Sequence, residues 1–193
     1  MTIFLFTLLG FSLGSVPFAL YLARWGSGKD IRSIGDGNPG ATNAWRAGGW
    51  RVGLPAYFLD VGKGVVPVLL ARQSGLTGWS LLPIALAPTL GHVFSPLLRG
   101  RGGKGLATIL GVWIGLSGIE VPLVILGALI PLYLGLRRAA LSVLITATLT
   151  LSYFFLFHHN PTWIVLLGLQ GLLVLWTHRK EVFTRPNDPM AKA

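Results

Sequence analysis

Ser117-Gly118-Ile119-Glu120-Val121-Pro122 interrupts an otherwise apolar run over residues 106–136. Whether those six residues form a turn decides how many times the chain crosses a membrane. Glycine, a carboxylate and proline so close together are turn and helix-boundary chemistry. Read as a turn, they split 106–136 into two helices and give seven apolar spans, with the others at 2–23, 52–71, 79–98, 139–157 and 162–177. The segments on one side of the membrane then hold five, three, two and four Lys/Arg, and the other side holds Arg72 alone. Read as one long tilted helix, the same run leaves eight cations facing seven. Cytoplasmic loops concentrate Lys and Arg, so the turn is the better reading. The expected fold is an all-α polytopic membrane protein with seven transmembrane helices, its N-terminus outside and its C-terminus cytoplasmic. Two of the helices are short for a roughly 30 Å hydrocarbon core, which implies local thinning or re-entry.

Composition agrees with this class. Of 193 residues, 52% are hydrophobic and only 11% charged, where soluble domains carry about 25%. The whole length, 1–193, reads as one integral-membrane domain. The net charge of +10 does not point to nucleic acid, because the cations sit in short clusters between apolar runs. Without cysteine there is neither a disulfide framework nor a thiolate metal site. Only Met1-Thr2 precedes the first apolar run and the first cation follows it at Arg24, a charge order that speaks against a cleaved leader.

The unusual segments all fall on the side assigned to the cytoplasm. Arg99-Gly100-Arg101-Gly102-Gly103-Lys104-Gly105 alternates cations with glycines ahead of an apolar helix. Glycine-rich backbone at a helix N-terminus can turn several N–H groups toward one anion. Topology alone would need the cations but not Gly100, Gly102, Gly103 and Gly105. The run is not a nucleotide P-loop, since Leu98 replaces the first glycine and Gly105 the Ser/Thr. A second loop, Gly35-Asp36-Gly37-Asn38-Pro39-Gly40-Ala41-Thr42-Asn43, precedes Arg46; it is either a plain interhelical turn or a rigid anion-binding loop. Asp60 and Lys63 share one face of the second span, as a structural ion pair or as functional groups. His92 reads as an interior hydrogen-bonded residue or a site residue, and His178 as interfacial or site-facing. His158 and His159, on the opposite side, carry no assigned role, and nothing has the spacing of a zinc site.

Taken together, these segments resemble the bacterial acyl-phosphate:glycerol-3-phosphate acyltransferases, a family of small polytopic membrane enzymes. The likeness runs through Gly14-Ser15-Val16-Pro17-Phe18, Asp30-Ile31-Arg32, Gly37 to Asn43, Leu59 to Gly64, Gly91-His92-Val93-Phe94 and Gly102 to Thr108. It implies transfer of a fatty acyl group from acyl phosphate to the 1-hydroxyl of glycerol 3-phosphate at a bacterial inner membrane, giving lysophosphatidic acid and phosphate. It implies no cofactor: no nucleotide, coenzyme A or metal. Membrane lipid is the expected surrounding partner.

Carried over residue by residue, Lys104, Arg46, Asn43, His178 and Glu181 are the expected catalytic group. Asp36, Gly37, Asn38, Gly40, Thr42, Lys63, His92, Arg101, Gly102, Gly103, Gly105 and Ser142 are the expected substrate-binding group. Lys104 and the amides of Gly102, Gly103 and Gly105 would hold one phosphate, while Arg46 and Asn43 grip a second anion. The sequence departs from the family in several places. Asp36 stands where the family usually has Ser, Glu181 where it has Asn, and Arg99 and Arg101 where Phe-Lys is commoner. The other large glycerolipid acyltransferase class uses a His and an Asp with four residues between them, and Leu97 occupies that Asp position relative to His92. The hydroxyl proton is left to Glu181, His178 or the substrate's own phosphate. Two other readings compete: a transporter of a phosphorylated solute, and a non-catalytic lipid- or phosphate-binding homologue.

Overall fold

A computed structural model describes residues 1–183. Its described residues are helical, without strands. The helices are α1 (Thr2–Ser15), α2 (Phe18–Ser27), α3 (Ala41–Gly48), α4 (Trp50–Gln73), α5 (Leu81–Val93), α6 (Leu106–Ser117), α7 (Glu120–Leu136), α8 (Ala139–Tyr153) and α9 (Pro161–Phe183). Five segments among the described residues are long and apolar enough to cross a membrane: Thr2–Ser27, Trp50–Gln73, Gly78–Leu98, Ala139–His158 and Pro161–Val182. The chain is therefore a multi-pass membrane protein. The two remaining apolar helices, α6 and α7, are shorter.

The turn at 117–122 forms as the sequence suggests. Gly118 caps α6 with φ +66°, and α7 starts two residues later at Glu120. The α6–α7 pair is a hairpin, because the start of α6 (Gly105, Leu106, Ala107) and the end of α7 (Leu129, Tyr133, Leu134) line the same cleft. With a 1.5 Å rise per residue, the 12 residues of α6 reach only about 18 Å.

The tightest helix pairs are α1 with α5 and α4 with α6. Both run parallel and both close on glycine. A Cβ on Gly14 would lie 2.2 Å from the Pro88 carbonyl oxygen, and one on Gly111 would lie 2.0 Å from that of Val61. Small residues at four-residue spacing, Gly10/Gly14 and Gly111/Gly115, let these backbones touch. Apolar tails surround every helix in a bilayer, so close packing rather than water exclusion drives their association. Two polar contacts cross between helices: the Trp113 indole N–H donates to Gln170 Oε1 at 2.9 Å, and Arg72 Nη1 donates to the Gly115 carbonyl at 2.9 Å.

Three local features differ from the sequence reading. The first span is broken at Val16-Pro17 into α1 and α2. The polar segment expected over 24–50 contains the end of α2, a 3₁₀ turn at Ile31–Ser33 and the amphipathic helix α3. Asn43, Ala44 and Ala47 of α3 are buried while Trp45 and Arg46 face out, a pattern only two turns long and so weak in sequence. Finally, α9 continues past residue 177 and carries His178 and Glu181 on its last turns. Of the cytoplasmic tail expected over 178–193, residues 184–193 lie outside the described residues.

Replacing Gly111 by Ala should destabilise the protein by about 1–3 kcal/mol, the usual cost of overpacking. Thermal unfolding in detergent, compared with the same change at the open Gly127, reads the difference.

Candidate active site

Two loops and two helix ends converge beside α6. The Lys104 ammonium bonds Asp36 Oδ2 at 2.6 Å and also the Glu181 carboxylate. On its other oxygen Asp36 accepts from Asn43 Nδ2 at 2.8 Å and from the Asn38 amide at 3.2 Å. Asn43 Oδ1 in turn accepts from Arg46 Nη1 at 2.9 Å. A continuous polar chain thus runs Glu181–Lys104–Asp36–Asn43–Arg46. Asn43 is 1% exposed, which makes it the fixed centre of this chain.

The cleft over this network has a volume of about 680 Å³. Asp36, Asn38, Gly40, Thr42, Arg46, His92, Lys104, Gly105, His178 and Glu181 all line it. Sequence reasoning chose these ten from four distant parts of the chain. Asn43 stands one layer behind, positioning Asp36 and Arg46. Tyr57, Asp60 and Tyr133 also line the cleft and were not in the expected set. Tyr57 sits three residues before Asp60 on α4, so helical spacing from that carboxylate was the signal available.

The glycine run works differently from the expected amide nest. The amides of Gly102 and Gly103 donate to the carbonyls of Val93 and His92, at 3.0 and 3.1 Å. Those donors are engaged with backbone and do not face the cleft. Their glycine identity answers instead to space. A Cβ on Gly102 would fall 1.9 Å from the His92 carbonyl oxygen, and one on Gly103 2.2 Å from His92 Nε2. The two glycines press the loop onto the end of α5, and this aims Lys104. Gly105, with φ +83°, then opens α6, whose first-turn residues Leu106 and Ala107 line the cleft. First-turn amides of a helix lack intrahelical acceptors and favour an anion.

Lys63, Ser142, Gly37 and Arg101 do not line this cleft, and the two histidines that do are held by their own partners. Lys63 is buried, 2.7 Å from Asp60 Oδ1, and donates to the Val16 carbonyl at the α1–α2 break. His92 Nδ1 lies 3.9 Å from the same Asp60 oxygen. Ser142 is fully buried, with its hydroxyl on the Arg138 carbonyl. Gly37 and Arg101 line a separate cleft. His178, 1% exposed, presents Nδ1 to the Val174 carbonyl at 2.9 Å. A carbonyl only accepts, so Nδ1 carries the proton and Nε2 of the neutral ring remains an acceptor.

Electrostatics keep the network charged. Partial burial works to raise the Asp36 carboxyl, but the Lys104 ammonium, helped by Asn43 and the Asn38 amide, outweighs it and holds Asp36 below the usual carboxylate range. Burial likewise works against the Lys104 charge, and its two carboxylate partners more than offset that, raising it above the ordinary lysine value.

A second, apolar crevice of about 160 Å³ lies between α6, α7, α8 and α9. Tyr57, Leu106, Ala107, Leu129 and Val143 line both, so the crevice adjoins the cleft.

Comparison with known proteins places these features in one group. The family described as glycerol-3-phosphate acyltransferase matches residues 4–184. A curated glycerol-3-phosphate acyltransferase of Geobacter sulfurreducens is 38% identical over 180 residues, covering 91% of this chain and 90% of that one. One from Thermus thermophilus is 39% identical, covering 91% and 87%. The crystal structure of PlsY, an integral membrane glycerol 3-phosphate acyltransferase, in its glycerol 3-phosphate form superposes with a TM-score of 0.87. It is 31% identical, over 94% of this chain and 90% of that chain. The lysophosphatidic acid form of PlsY gives a TM-score of 0.85 at 29% identity.

The sign of the Asp36 shift sets a pH test. A lowered carboxylate contributes stability that is present above its unfolded value of about 3.9 and is lost as pH falls through the folded value. Unfolding temperature should therefore fall below about pH 4 in the parent protein, and the drop should be smaller in Asp36→Asn.

Proposed function

Because the chain belongs to the glycerol-3-phosphate acyltransferase family, we propose that this membrane acyltransferase moves a fatty acyl group from acyl phosphate to the 1-hydroxyl of glycerol 3-phosphate. The products are lysophosphatidic acid and inorganic phosphate. The observation that carries this reading is a cationic cleft that adjoins an apolar crevice, with five lining residues in common. Two phosphate-bearing substrates need cations at one end, and an acyl chain needs a water-free slot at the other.

In the proposed reaction the hydroxyl oxygen of glycerol 3-phosphate attacks the acyl carbonyl carbon. The carbon–oxygen bond to phosphate then breaks, and the phosphate leaves with the electron pair. Lys104 and the first turn of α6 face the negative charge that grows on it, which is where preorganised cations accelerate such a step. Arg46, braced by Asn43, holds the other phosphate and keeps the pair in register. Of the three carboxylates that line the cleft, Asp36 and Glu181 are bound to Lys104 and Asp60 is bound to Lys63. That commitment favours the phosphate of glycerol 3-phosphate itself as acceptor of the hydroxyl proton. His178 then acts as a polar wall of the cleft.

The same reading places the cleft on the cytoplasmic side of a bacterial inner membrane. Arg24, Lys29, Arg32, Arg46, Arg51, Arg99, Arg101, Lys104, Arg137, Arg138, Arg179 and Lys180 stand at the cleft end of the helices, and Arg72 stands at the other. Such an asymmetry is the one that cytoplasmic loops carry. The chain spans most of the length of its curated relatives, so the whole reaction is proposed for this one domain.

Purified protein given acyl phosphate and glycerol 3-phosphate should release inorganic phosphate, and acyl-coenzyme A or acyl carrier protein should not replace the donor. Lys104→Ala should lower the rate at least about 100-fold, the scale of losing one transition-state charge contact. Phosphate release unchanged by Lys104→Ala would overturn the assignment. Gly171 lines the apolar crevice with open space beside it. Gly171→Leu should therefore lower kcat/KM for a sixteen-carbon donor by about tenfold relative to a ten-carbon one.

A further inference from the structure

Across a thin wall from the catalytic cleft lies a second polar cleft, of about 940 Å³. The wall is the segment Asp36–Gly40, and its residues alternate. Asp36, Asn38 and Gly40 line the catalytic side, while Gly37 and Pro39 line the other. The two clefts share no lining residue. On the far side the cations are Arg32, Arg99 and Arg101, with the Ser33 hydroxyl beside them.

The arginines are held, not loose. Asp30 accepts from Arg32 Nε at 2.9 Å and from Nη2 at 2.6 Å, and it also takes Arg24 Nη2 at 2.7 Å. One carboxylate thus fixes two guanidinium groups while neutralising a single charge. Arg32 keeps further N–H donors on its fork for another acceptor. Arg99 adopts φ +54° and Gly100 φ +75°. The turn that holds them is closed by the Gly100 amide on Ser95 and the Arg101 amide on Leu98, at 2.8 and 3.0 Å. A left-handed arginine is a strained choice that persists only where surrounding bonds enforce it. The result sets Arg99 and Arg101 against Arg32 across one opening.

The cleft stands at the ends of two candidate membrane spans, Thr2–Ser27 and Gly78–Leu98. Trp25, Trp45 and Trp50 are exposed at the same end, at 91%, 50% and 62%, as aromatic side chains at a headgroup boundary are. Leu97, 59% exposed, forms an apolar lip beside the arginines.

We propose that this cleft is a second anion site, separate from the acyl-transfer site, that takes the phosphate of an organophosphate: an anionic lipid headgroup or a free phosphomonoester. Planar guanidinium forks match phosphate oxygens in pairs. The apolar lip suits the acyl-chain end of a lipid.

The test uses the full-length protein in a neutral detergent, with dioleoylphosphatidylglycerol, dioleoylphosphatidylcholine and inorganic phosphate as separate probes. Lipid retention is read by native mass spectrometry and phosphate binding by calorimetry. All are measured in a background of Lys104→Ala with Arg46→Ala, which removes both cations assigned to phosphate in the catalytic cleft. A lipid site predicts preferred retention of phosphatidylglycerol over phosphatidylcholine, weakened about tenfold by Arg99→Ala with Arg101→Ala, the scale of losing charged hydrogen bonds. Equal retention of the two lipids, with arginine-dependent binding of inorganic phosphate, assigns the site to a free phosphomonoester. If neither probe distinguishes the double variant from its parent, the site does not exist. Should the alanine pair fail to insert, Arg99→Lys with Arg101→Lys preserves net charge but loses the forks. Severalfold weaker binding then supports the site, and equal binding overturns it. None of these readouts depends on catalysis, so failure here leaves the acyl-transfer reading to be judged by its own phosphate-release assay.

Discussion

One ammonium group ties the site together. Lys104 reaches Asp36, 68 positions earlier, and Glu181, 77 positions later. Nothing local in the chain brings these groups near each other; the helix bundle does. Two parallel pairs, α1 with α5 and α4 with α6, carry the loop ends to one level, and both depend on backbones meeting over glycine. Lys104 then serves as the common partner of two carboxylates that would otherwise repel each other. Its charge stabilises the site by the same attraction that a phosphate would use. In the proposed reaction a phosphate would exchange carboxylate oxygens for phosphate oxygens around a cation already in place, sparing the site the reorganisation of an open, solvated lysine.

Much of this was legible in the sequence, because membranes impose strong rules. Low charge, long apolar runs and the one-sided placement of Lys and Arg pointed to the helical class and the break at 117–122. The ten cleft-lining residues were legible as motifs. What escaped was tertiary. The α3 helix is two turns long and its apolar face is two alanines around an asparagine, so its periodicity is faint. The break at Pro17 was hidden inside an uncharged run. The glycines of the 99–105 run invited an electrostatic explanation, whereas Gly102 and Gly103 are there because His92 fills the space a Cβ would need. A run of glycines reports that something approaches closely; it does not report what.

Asp60, Lys63 and His92 illustrate the same limit. Helical spacing placed the first two on one face, and that holds: their charges meet at 2.7 Å in the interior. Yet Asp60 and His92 line the cleft and Lys63 does not. The lysine turns instead to the Val16 carbonyl, next to the proline that breaks the first span. A single intramembrane cation therefore links the kink in one helix to a carboxylate on another, and both halves of that link support the floor of the cleft.

The wall at Asp36–Gly40 has a geometric corollary. A partition one residue thick has no interior, so any sideways shift of it takes volume from one chamber and gives the same volume to the other. The two chambers cannot both widen by its motion. Asn43 bonds both Asp36 and the Asn38 carbonyl in that wall and also holds Arg46, so a shift of the wall would change the angle of Arg46. Two spaces that share no lining residue are in this way joined like the two pans of a balance.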